Sequence, residues 1–179
     1  TPEQRSHAKA VNFGIIYGIS DYGLARQLNI SREAAARDMK SYFERYPHIH
    51  EYMQTMIEQA RNTGRAVTMF GRYRELPDIH SKNFNRRSFA ERTAMNTPIQ
   101  GTAADIMKIA MRNVYKKMQA MGCRSRILLQ VHDELIVEAV NSEKEMLEKL
   151  LKETMEQAVK LRVPLVADVH TGTNWAETK

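Results

Sequence analysis

Four side chains near the start of the sequence have types and a spacing that could bind an anion and a flat ring. They are Arg5, Lys9, Phe13 and Tyr17, one at every fourth residue. Four residues of α-helix turn about 400°, so the side chains form one slowly drifting stripe about 18 Å long. Two cations followed by two aromatic rings suit a nucleoside triphosphate, which has anionic phosphates and a flat base. A surface helix whose aromatic residues pack inward explains the spacing equally well.

A polar tripeptide between two apolar runs is the second candidate site. It is His132-Asp133-Glu134, and it places two carboxylates where charge is costly unless it is used or paired. Adjacent residues of an extended chain point to opposite faces, so Asp133 and Glu134 are not expected to hold one ion together. One carboxylate combined with a distant group could bind a hard cation such as Mg²⁺. The alternative is an ordinary hairpin turn made of polar residues.

Two amide side chains and a basic segment could contact a nucleic acid. Asn96 and Gln100 lie four residues apart around Pro98 and can both donate and accept hydrogen bonds, although helix capping explains them nearly as well. Residues 61–92 contain eight Lys and Arg against three Asp and Glu, which is +5 of the total formal charge of +6. Interleaved aromatic residues favour a nucleic-acid groove, and a solvated basic face is the alternative.

Composition excludes several classes of protein. The 179 residues are 42% hydrophobic, enough for a packed core, and no apolar run approaches the roughly 18 residues of a membrane span. The single cysteine, Cys123, cannot form an internal disulfide or a thiolate zinc site. The chain begins at Thr1 without an initiator Met or a signal region, so we expect a piece of a longer protein in a reducing compartment.

The elements that must position these residues are mostly helical. Cap residues and apolar periodicity predict helices over residues 2–17, 21–28, 32–45, 49–62, 83–95, 99–121 and 142–161, with an interruption at Thr97-Pro98. Alternating and β-branched runs predict one hairpin from residues 66–70 and 73–76, a second from residues 126–131 and 135–140, and a strand over residues 165–170. Runs of helices followed by a small antiparallel sheet with a packed helix predict an α+β fold.

Four segments resemble family A DNA polymerases, in order and with the family's spacing. Residues 5–18 (RSHAKAVNFGIIYG) resemble the fingers-helix motif, and residues 130–134 (QVHDE) resemble the palm motif. Residues 68–72 (TMFGR) and 96–105 (NTPIQGTAAD) also look like segments of the family. The resemblance covers essentially the whole chain. It implies that residues 1–80 belong to the fingers and residues 81–179 to the C-terminal palm.

The resemblance implies a role for each member of the first stripe. Arg5 and Lys9 would hold the phosphates of the incoming deoxynucleoside triphosphate (dNTP), and Lys9 would also give a proton to the departing pyrophosphate. Phe13 would pack on the sugar and base of that nucleotide. Tyr17 would stack at the template position and move away when the fingers close.

The resemblance also implies which residues meet metal and DNA. Asp133 would coordinate two catalytic Mg²⁺ ions, with Glu134 in a supporting role and His132 near the primer end. Contacts to the primer or the template would come from Arg74, Arg92, Asn96 and Gln100, with the amides in the minor groove, where correct base pairs present acceptors in similar places. The expected activity is that of a DNA-directed DNA polymerase, a nucleotidyltransferase of replication and repair.

The family's first palm aspartate lies in a motif like Asp-Tyr-Ser-Gln-Ile-Glu-Leu-Arg, and this sequence has no such segment. We therefore expect the chain alone to be inactive as a polymerase. The expected partners are primer-template DNA and dNTP, with no membrane, in a monomeric enzyme of the bacterial cytoplasm that associates with the nucleoid. Two alternatives are a basic DNA-binding module without catalytic activity and a structural helical domain.

Overall fold

The computed structural model of this protein describes residues 1–178 and has the predicted α+β architecture. Its helices are α1 (Pro2–Ile16), α2 (Asp21–Leu28), α3 (Arg32–Arg45), α4 (Pro47–Thr63), α5 (Phe84–Ala120) and α6 (Lys144–Glu156). Its strands are β1 (Arg65–Val67), β2 (Tyr73–Glu75), β3 (Arg126–Val131) and β4 (Glu134–Glu138). Short 3₁₀ turns cover Asn141–Glu143 and Trp175–Thr178. Within the described range, no helix combines the length and the apolarity that a membrane crossing requires.

The chain divides into two compact units, one from Thr1 to Gly101 and one from Thr102 onward. The boundary lies inside the continuous helix α5, because α5 supplies side chains to the core of each unit. The predicted division between residues 1–80 and 81–179 concerns subdomains of a complete polymerase, and it stays a prediction.

The first three helices begin and end where their cap residues predict. The Thr1 side chain and Gln4 form a reciprocal capping box at the start of α1. The hydroxyls of Ser20 and Ser31 accept from backbone N–H groups at the starts of α2 and α3. A core cluster then joins these helices through the buried residues Leu24, Ala25 and Ala35, with Val11, Ile19, Leu28, Ile30 and Met39 packed against it.

The first predicted hairpin is confirmed, with shorter strands and a longer connection. β1 pairs with β2 in antiparallel register, with Ala66 opposite Arg74. Ala66 belongs to a second buried cluster, whose other members are Ala60, Leu76, Ile79, Ala90 and Ala94. The many alanines in this cluster let α4, the hairpin and α5 approach one another closely.

The predicted interruption at Thr97-Pro98 is wrong, because α5 runs through Pro98 without a break. A proline inside a helix removes the N–H that would bond the carbonyl four residues earlier, here that of Ala94. Ala94 is fully buried, and the neighbouring carbonyl of Met95 accepts from the Tyr52 hydroxyl of α4 at 3.4 Å. Packing against α4 therefore holds the helix continuous at a site where the sequence favours a break.

The second predicted hairpin is also confirmed, and it packs on helices in the second unit. β3 and β4 pair in antiparallel register, with an irregularity between Ile127 and Leu129. The buried residues of this core are Val114 and Met118 of α5 and Leu147 and Leu150 of α6, and Ile127, Leu135 and Val137 of the hairpin pack against them.

Two predictions for the C-terminal part are wrong. The predicted helix over residues 142–161 begins with a 3₁₀ turn and ends at Glu156, just after Met155, the last α6 side chain in the core cluster. Residues 165–170 form no strand, and the Ala167 N–H donates to the Glu156 carboxylate at 3.2 Å. A strand needs an edge to pair with, and among the described residues neither β3 nor β4 pairs with this segment.

Candidate functional site

The stripe on α1 faces solvent along its whole length. Arg5 and Lys9 are exposed, and Phe13 and Tyr17 retain 47% and 44% of their accessible surface. The two rings stack with centroids 6.3 Å apart and planes 16° apart, and the Lys9 Nζ lies 5.9 Å from the centroid of the Phe13 ring. The fully buried Ile15 belongs to the opposite side of α1. The two aromatic rings therefore do not pack inward, and they offer a flat surface beside two cations.

Gly18, the residue after the predicted helix over residues 2–17, fixes the end of α1. Gly18 has φ +74°, and its N–H bonds the Ile15 carbonyl while the Ile19 N–H bonds the Gly14 carbonyl, a Schellman arrangement. A Cβ at Gly18 would lie 2.5 Å from the Met95 Cε and 3.0 Å from the Arg92 Cγ of α5. The close approach brings Arg92 beside the aromatic end of the stripe.

Two polar contacts set the rotation of α1 against α3. The Tyr42 hydroxyl donates to the Asn12 Oδ1 at 2.7 Å, and the His7 Nε2 lies 3.4 Å from the Asp38 Oδ2. Burial raises the pKa of Tyr42, so the phenol remains a hydrogen-bond donor. Because Asn12 directly precedes Phe13, this hydrogen bond helps to fix the direction in which the side chains of the stripe point.

Helix α5 carries the predicted DNA-contacting residues Arg92, Asn96 and Gln100 at steps of four, which places them along one face. The Arg92 guanidinium donates to the Ser88 Oγ at 2.8 Å. The Asn96 Oδ1 is buried and accepts no hydrogen bond from the described residues, whereas Gln100 is exposed. A buried acceptor without a donor is costly, so the Asn96 amide has capacity for a further hydrogen bond.

The hairpin that carries Arg74 is held on α5 at Gly101. A Cβ at Gly101 would lie only 2.6 Å from the Thr68 Cγ2, and an Arg72 Nη2 donates to the Gly101 carbonyl at 2.9 Å. The Thr68 Oγ1 in turn accepts from the N–H groups of Phe70 and Arg72. The connection from β1 to β2 is therefore built around Thr68 and packs beside Gln100. This brings the hairpin that carries the exposed Arg74 to the α5 face that carries Arg92, Asn96 and Gln100.

The turn from β3 to β4 lies in the second unit. Val131 pairs with Glu134, so His132 and Asp133 form a two-residue connection, and both are exposed. His132 has φ +50°, an uncommon value for a residue with a Cβ. The Gln130 Nε2 donates to the His132 carbonyl at 2.8 Å. The turn thus presents the Asp133 carboxylate at the end of the hairpin in a strained backbone, a feature that clusters at functional sites.

A single carboxylate at this turn suits one oxygen ligand of a hard cation. In residues 1–178 no three His, Cys, Asp or Glu side chains gather into a group that could hold a metal ion. Asp133 therefore fits Mg²⁺ only as one member of a larger ligand set, as the sequence analysis expects.

The base of the same hairpin is clamped by a carboxylate that the sequence analysis missed. Glu143 accepts from the N–H groups of Arg124 and Ser125 at 3.0 Å each and from the Ser125 hydroxyl at 2.5 Å. The Ser125 Oγ accepts from the Val140 N–H at 2.9 Å, which ties together the outer ends of β3 and β4. These bonds, first the one from the Ser125 hydroxyl, lower the pKa of Glu143. No spacing rule connects residues 125 and 143, so only the fold could reveal the clamp.

Much of the positive charge between Arg61 and Arg92 has structural partners. Arg61 pairs with Glu91 at 2.7 Å, and the Arg65 guanidinium lies 4.8 Å from the centroid of the Tyr73 ring. Among the described residues, Arg87 and Arg92 also donate to the Ser81 carbonyl and the Ser88 hydroxyl. The basic segment is therefore not simply a solvated face, because its arginines also connect α4, the hairpin and α5.

Comparison with known proteins agrees with the resemblance. A model of DNA polymerase family A matches residues 1–177. The chain is 56% identical over all 179 residues to DNA polymerase I of Caldicellulosiruptor bescii and 55% identical over the same length to DNA polymerase I of Bacillus caldotenax. It covers 21% and 20% of these relatives, so it spans about a fifth of their length.

A solved structure is similar over nearly the same range. The POL domain of Pol1 from M. smegmatis, in complex with DNA primer-template and dNTP, superposes with a TM-score of 0.95 and 47% sequence identity. The match covers 99% of this chain and 31% of the other. Together with the match over residues 1–177, these relatives show that the chain belongs to DNA polymerase family A.

Proposed function

We propose that this chain supplies the nucleotide-binding helix and part of the metal-binding palm of a DNA-directed DNA polymerase. The reaction is nucleotidyl transfer, in which the primer 3′-hydroxyl attacks the α-phosphate of a dNTP in line and pyrophosphate departs. The observation that carries the proposal is the exposed stripe on α1, where two cations are followed by two stacked rings. A relative with this fold binds primer-template and dNTP, the partners that the proposal assigns here.

Each member of the stripe contacts a different part of the nucleotide. Arg5 and Lys9 hold the phosphates, because charge-assisted hydrogen bonds to phosphate oxygens are the strong ones. Lys9 also donates a proton to the departing pyrophosphate. Phe13 packs on the sugar and base, and Tyr17 occupies the template position until the fingers close.

Asp133 provides one oxygen ligand to catalytic Mg²⁺, with Glu134 in support and His132 beside the primer end. Two Mg²⁺ ions would neutralise the charge on the attacking and leaving oxygens. Since no three His, Cys, Asp or Glu side chains of residues 1–178 gather into a metal site, the remaining ligands come from a segment like the family's first palm motif. The 179-residue chain by itself should therefore not extend a primer.

The α5 face and the first hairpin hold DNA in this proposal. Arg92 and Arg74 contact the backbone of the primer or the template, and the Asn96 and Gln100 amides meet acceptors in the minor groove. We place the complete enzyme in DNA replication and repair, as a monomer in the bacterial cytoplasm near the nucleoid.

The test removes the carboxylate at the turn in a complete polymerase that carries this segment. Asp133→Ala should lower primer extension by at least about 1,000-fold, because a metal ligand contributes several kcal/mol and each 1.36 kcal/mol is tenfold in rate. Affinity for primer-template should change little. The matched control is Asp168→Ala, the same change at another exposed carboxylate. Extension that survives Asp133→Ala as well as it survives the control would contradict the assignment.

The charge of +5 between Arg61 and Arg92 favours one other candidate, a basic DNA-binding module without catalytic activity. In that case DNA affinity would depend on Arg72, Arg74, Arg86 and Arg87 and would fall steeply with salt, while Asp133→Ala would have no effect on any measured property. Primer extension and salt-dependent binding, measured on the same variants, separate the two functions.

A further inference from the structure

An open groove of about 870 Å³ lies between α1 and α3 in the first unit, and it has a second wall that the proposed function does not use. Three cations and three aromatic rings line it: Arg5, Lys9 and Phe13 from α1, with Tyr42, Arg45 and Tyr46 at the end of α3 and just beyond. The first wall belongs to the nucleotide-binding stripe.

The α3 wall presents aromatic surface and charge together. The rings of Tyr42 and Tyr46 have centroids 5.1 Å apart, and Tyr46 retains half of its accessible surface. Arg45 is exposed. Ala35, Met39, Tyr42 and Tyr46 recur at helical spacing and form one stripe of α3, of which Ala35 and Met39 pack on α2. The tyrosines extend this packed stripe to the groove, where half of the Tyr46 surface stays uncovered beside the cation and is available to a ligand.

The groove carries a positive charge that suits a polyanion. Arg5, Lys9 and Arg45 contribute three positive charges and Asp38, which also lines the groove beside His7, contributes one negative charge, so these four side chains carry +2. Proteins that hold single-stranded nucleic acid combine a positive groove along the backbone with aromatic side chains on which bases stack. The charges and the rings of this groove meet both requirements.

The length of the groove favours a strand over a single nucleotide. From Asp38 to Tyr46, the lining residues of the α3 wall span about 12 Å along the helix, at 1.5 Å per residue. That length matches three to four stacked nucleotides at about 3.4 Å each.

We propose that the groove between α1 and α3 is a site for single-stranded nucleic acid, in which Arg45 meets the sugar-phosphate backbone and the rings of Tyr42 and Tyr46 stack on bases. The identification of this strand as template DNA rests on the proposed function. The binding site itself does not, because a strand could occupy the groove whether or not the chain takes part in synthesis.

The test measures binding of a fluorescent oligothymidylate of about 12 nucleotides to the 179-residue chain over a series of salt concentrations. Arg45→Gln should reduce the slope of log affinity against log salt by about 0.7, the contribution of one phosphate contact to a single strand. Lys40→Gln is the matched control, since it removes the same charge from the exposed side of α3 outside the groove lining and should leave the slope unchanged. Equal slopes for the two variants would overturn the proposal.

A second pair of variants tests the aromatic surface. Tyr46→Ala should weaken oligothymidylate binding by about 5- to 150-fold, the effect of losing one base–aromatic stack, whereas Tyr46→Phe should retain the affinity. Both substitutions are at an exposed side chain, and circular dichroism checks that the helices remain. The same variants are titrated with dATP. An equal loss for dATP and the oligonucleotide would identify a single-nucleotide pocket and refute the strand site.

These outcomes are independent of the polymerase assignment. Primer extension that survives Asp133→Ala would refute the proposed function and leave the oligonucleotide measurements unaffected. If Asp133→Ala abolishes extension by the complete polymerase, but the groove variants of the 179-residue chain bind oligothymidylate like the parent, the proposed function stands and the strand site is refuted.

Discussion

Adding one methyl group at Gly101 should loosen the hairpin that carries Arg74. The ideal Cβ lies 2.6 Å from the Thr68 Cγ2, which is 0.4 Å closer than the 3.0 Å that real Cβ atoms respect. Thr68 is 5% exposed and cannot move freely, because its hydroxyl accepts from two N–H groups of the connection. Overpacking of this kind costs about 1–3 kcal/mol, and replacing glycine by alanine inside a helix recovers about 1 kcal/mol. Gly101→Ala should therefore lower the free energy of unfolding by up to about 2 kcal/mol.

Thr68→Ser provides the matched rescue, because it removes the clashing methyl group and keeps the hydroxyl. Alone it should cost about 0.8 kcal/mol for the lost buried methyl. Combined with Gly101→Ala, it should relieve the contact and return the stability close to that of the parent. Urea unfolding of the two single variants and the double variant gives the coupling energy between the two positions, which should be about 1–3 kcal/mol.

A coupling energy near zero would refute the reasoning, since it would mean that the two side chains do not meet. A parent-like stability for Gly101→Ala combined with a destabilised double variant would refute it as well. In a complete polymerase, we expect Gly101→Ala also to weaken primer-template affinity, because Arg74 is on the displaced hairpin.

Two further predictions concern the second hairpin. His132→Gly should stabilise the second unit by about 1 kcal/mol in urea unfolding, because glycine adopts φ +50° without the penalty that a Cβ brings, and a loss of stability would contradict the strain. The carboxylate of Glu143 has a lowered pKa, so its stabilisation is complete above the ordinary value near 4.5 and is lost as pH falls through the lower folded value. Glu143→Gln should therefore have a lower thermal unfolding temperature than the parent at pH 7. The difference between the two proteins should shrink as the pH falls, because the parent loses the contribution of the Glu143 carboxylate. A difference that stays constant over the pH range would rule out the clamp.

Local signals in the sequence predicted most elements. Thr1, Ser20 and Ser31 cap helices as their types and positions predict, because capping depends on a few consecutive residues. Both hairpins follow from the change of apolar period and from the polar residues between the strands.

The wrong predictions concern segments whose structure depends on packing against distant parts of the chain. Pro98 stays inside α5 because α4 packs against that part of the helix, and no local rule for proline contains this contact. Residues 165–170 have the composition of a strand but no edge to pair with among the described residues. The close approaches at Gly18 and Gly101 required the structure for the same reason, since they are visible only when the neighbouring element is in place.

The sequence by itself determined the family, the α+β class and the spacing of Arg5, Lys9, Phe13 and Tyr17, because motifs and helical periodicity are properties of a linear chain. It could not decide whether the aromatic rings of the stripe pack inward or face a ligand. The tertiary structure decided that, since the side of α1 that carries Ile15 is buried and both rings are left exposed. The second wall of the groove is also a tertiary feature, because residues 5–13 and 42–46 meet only when α1 packs beside α3.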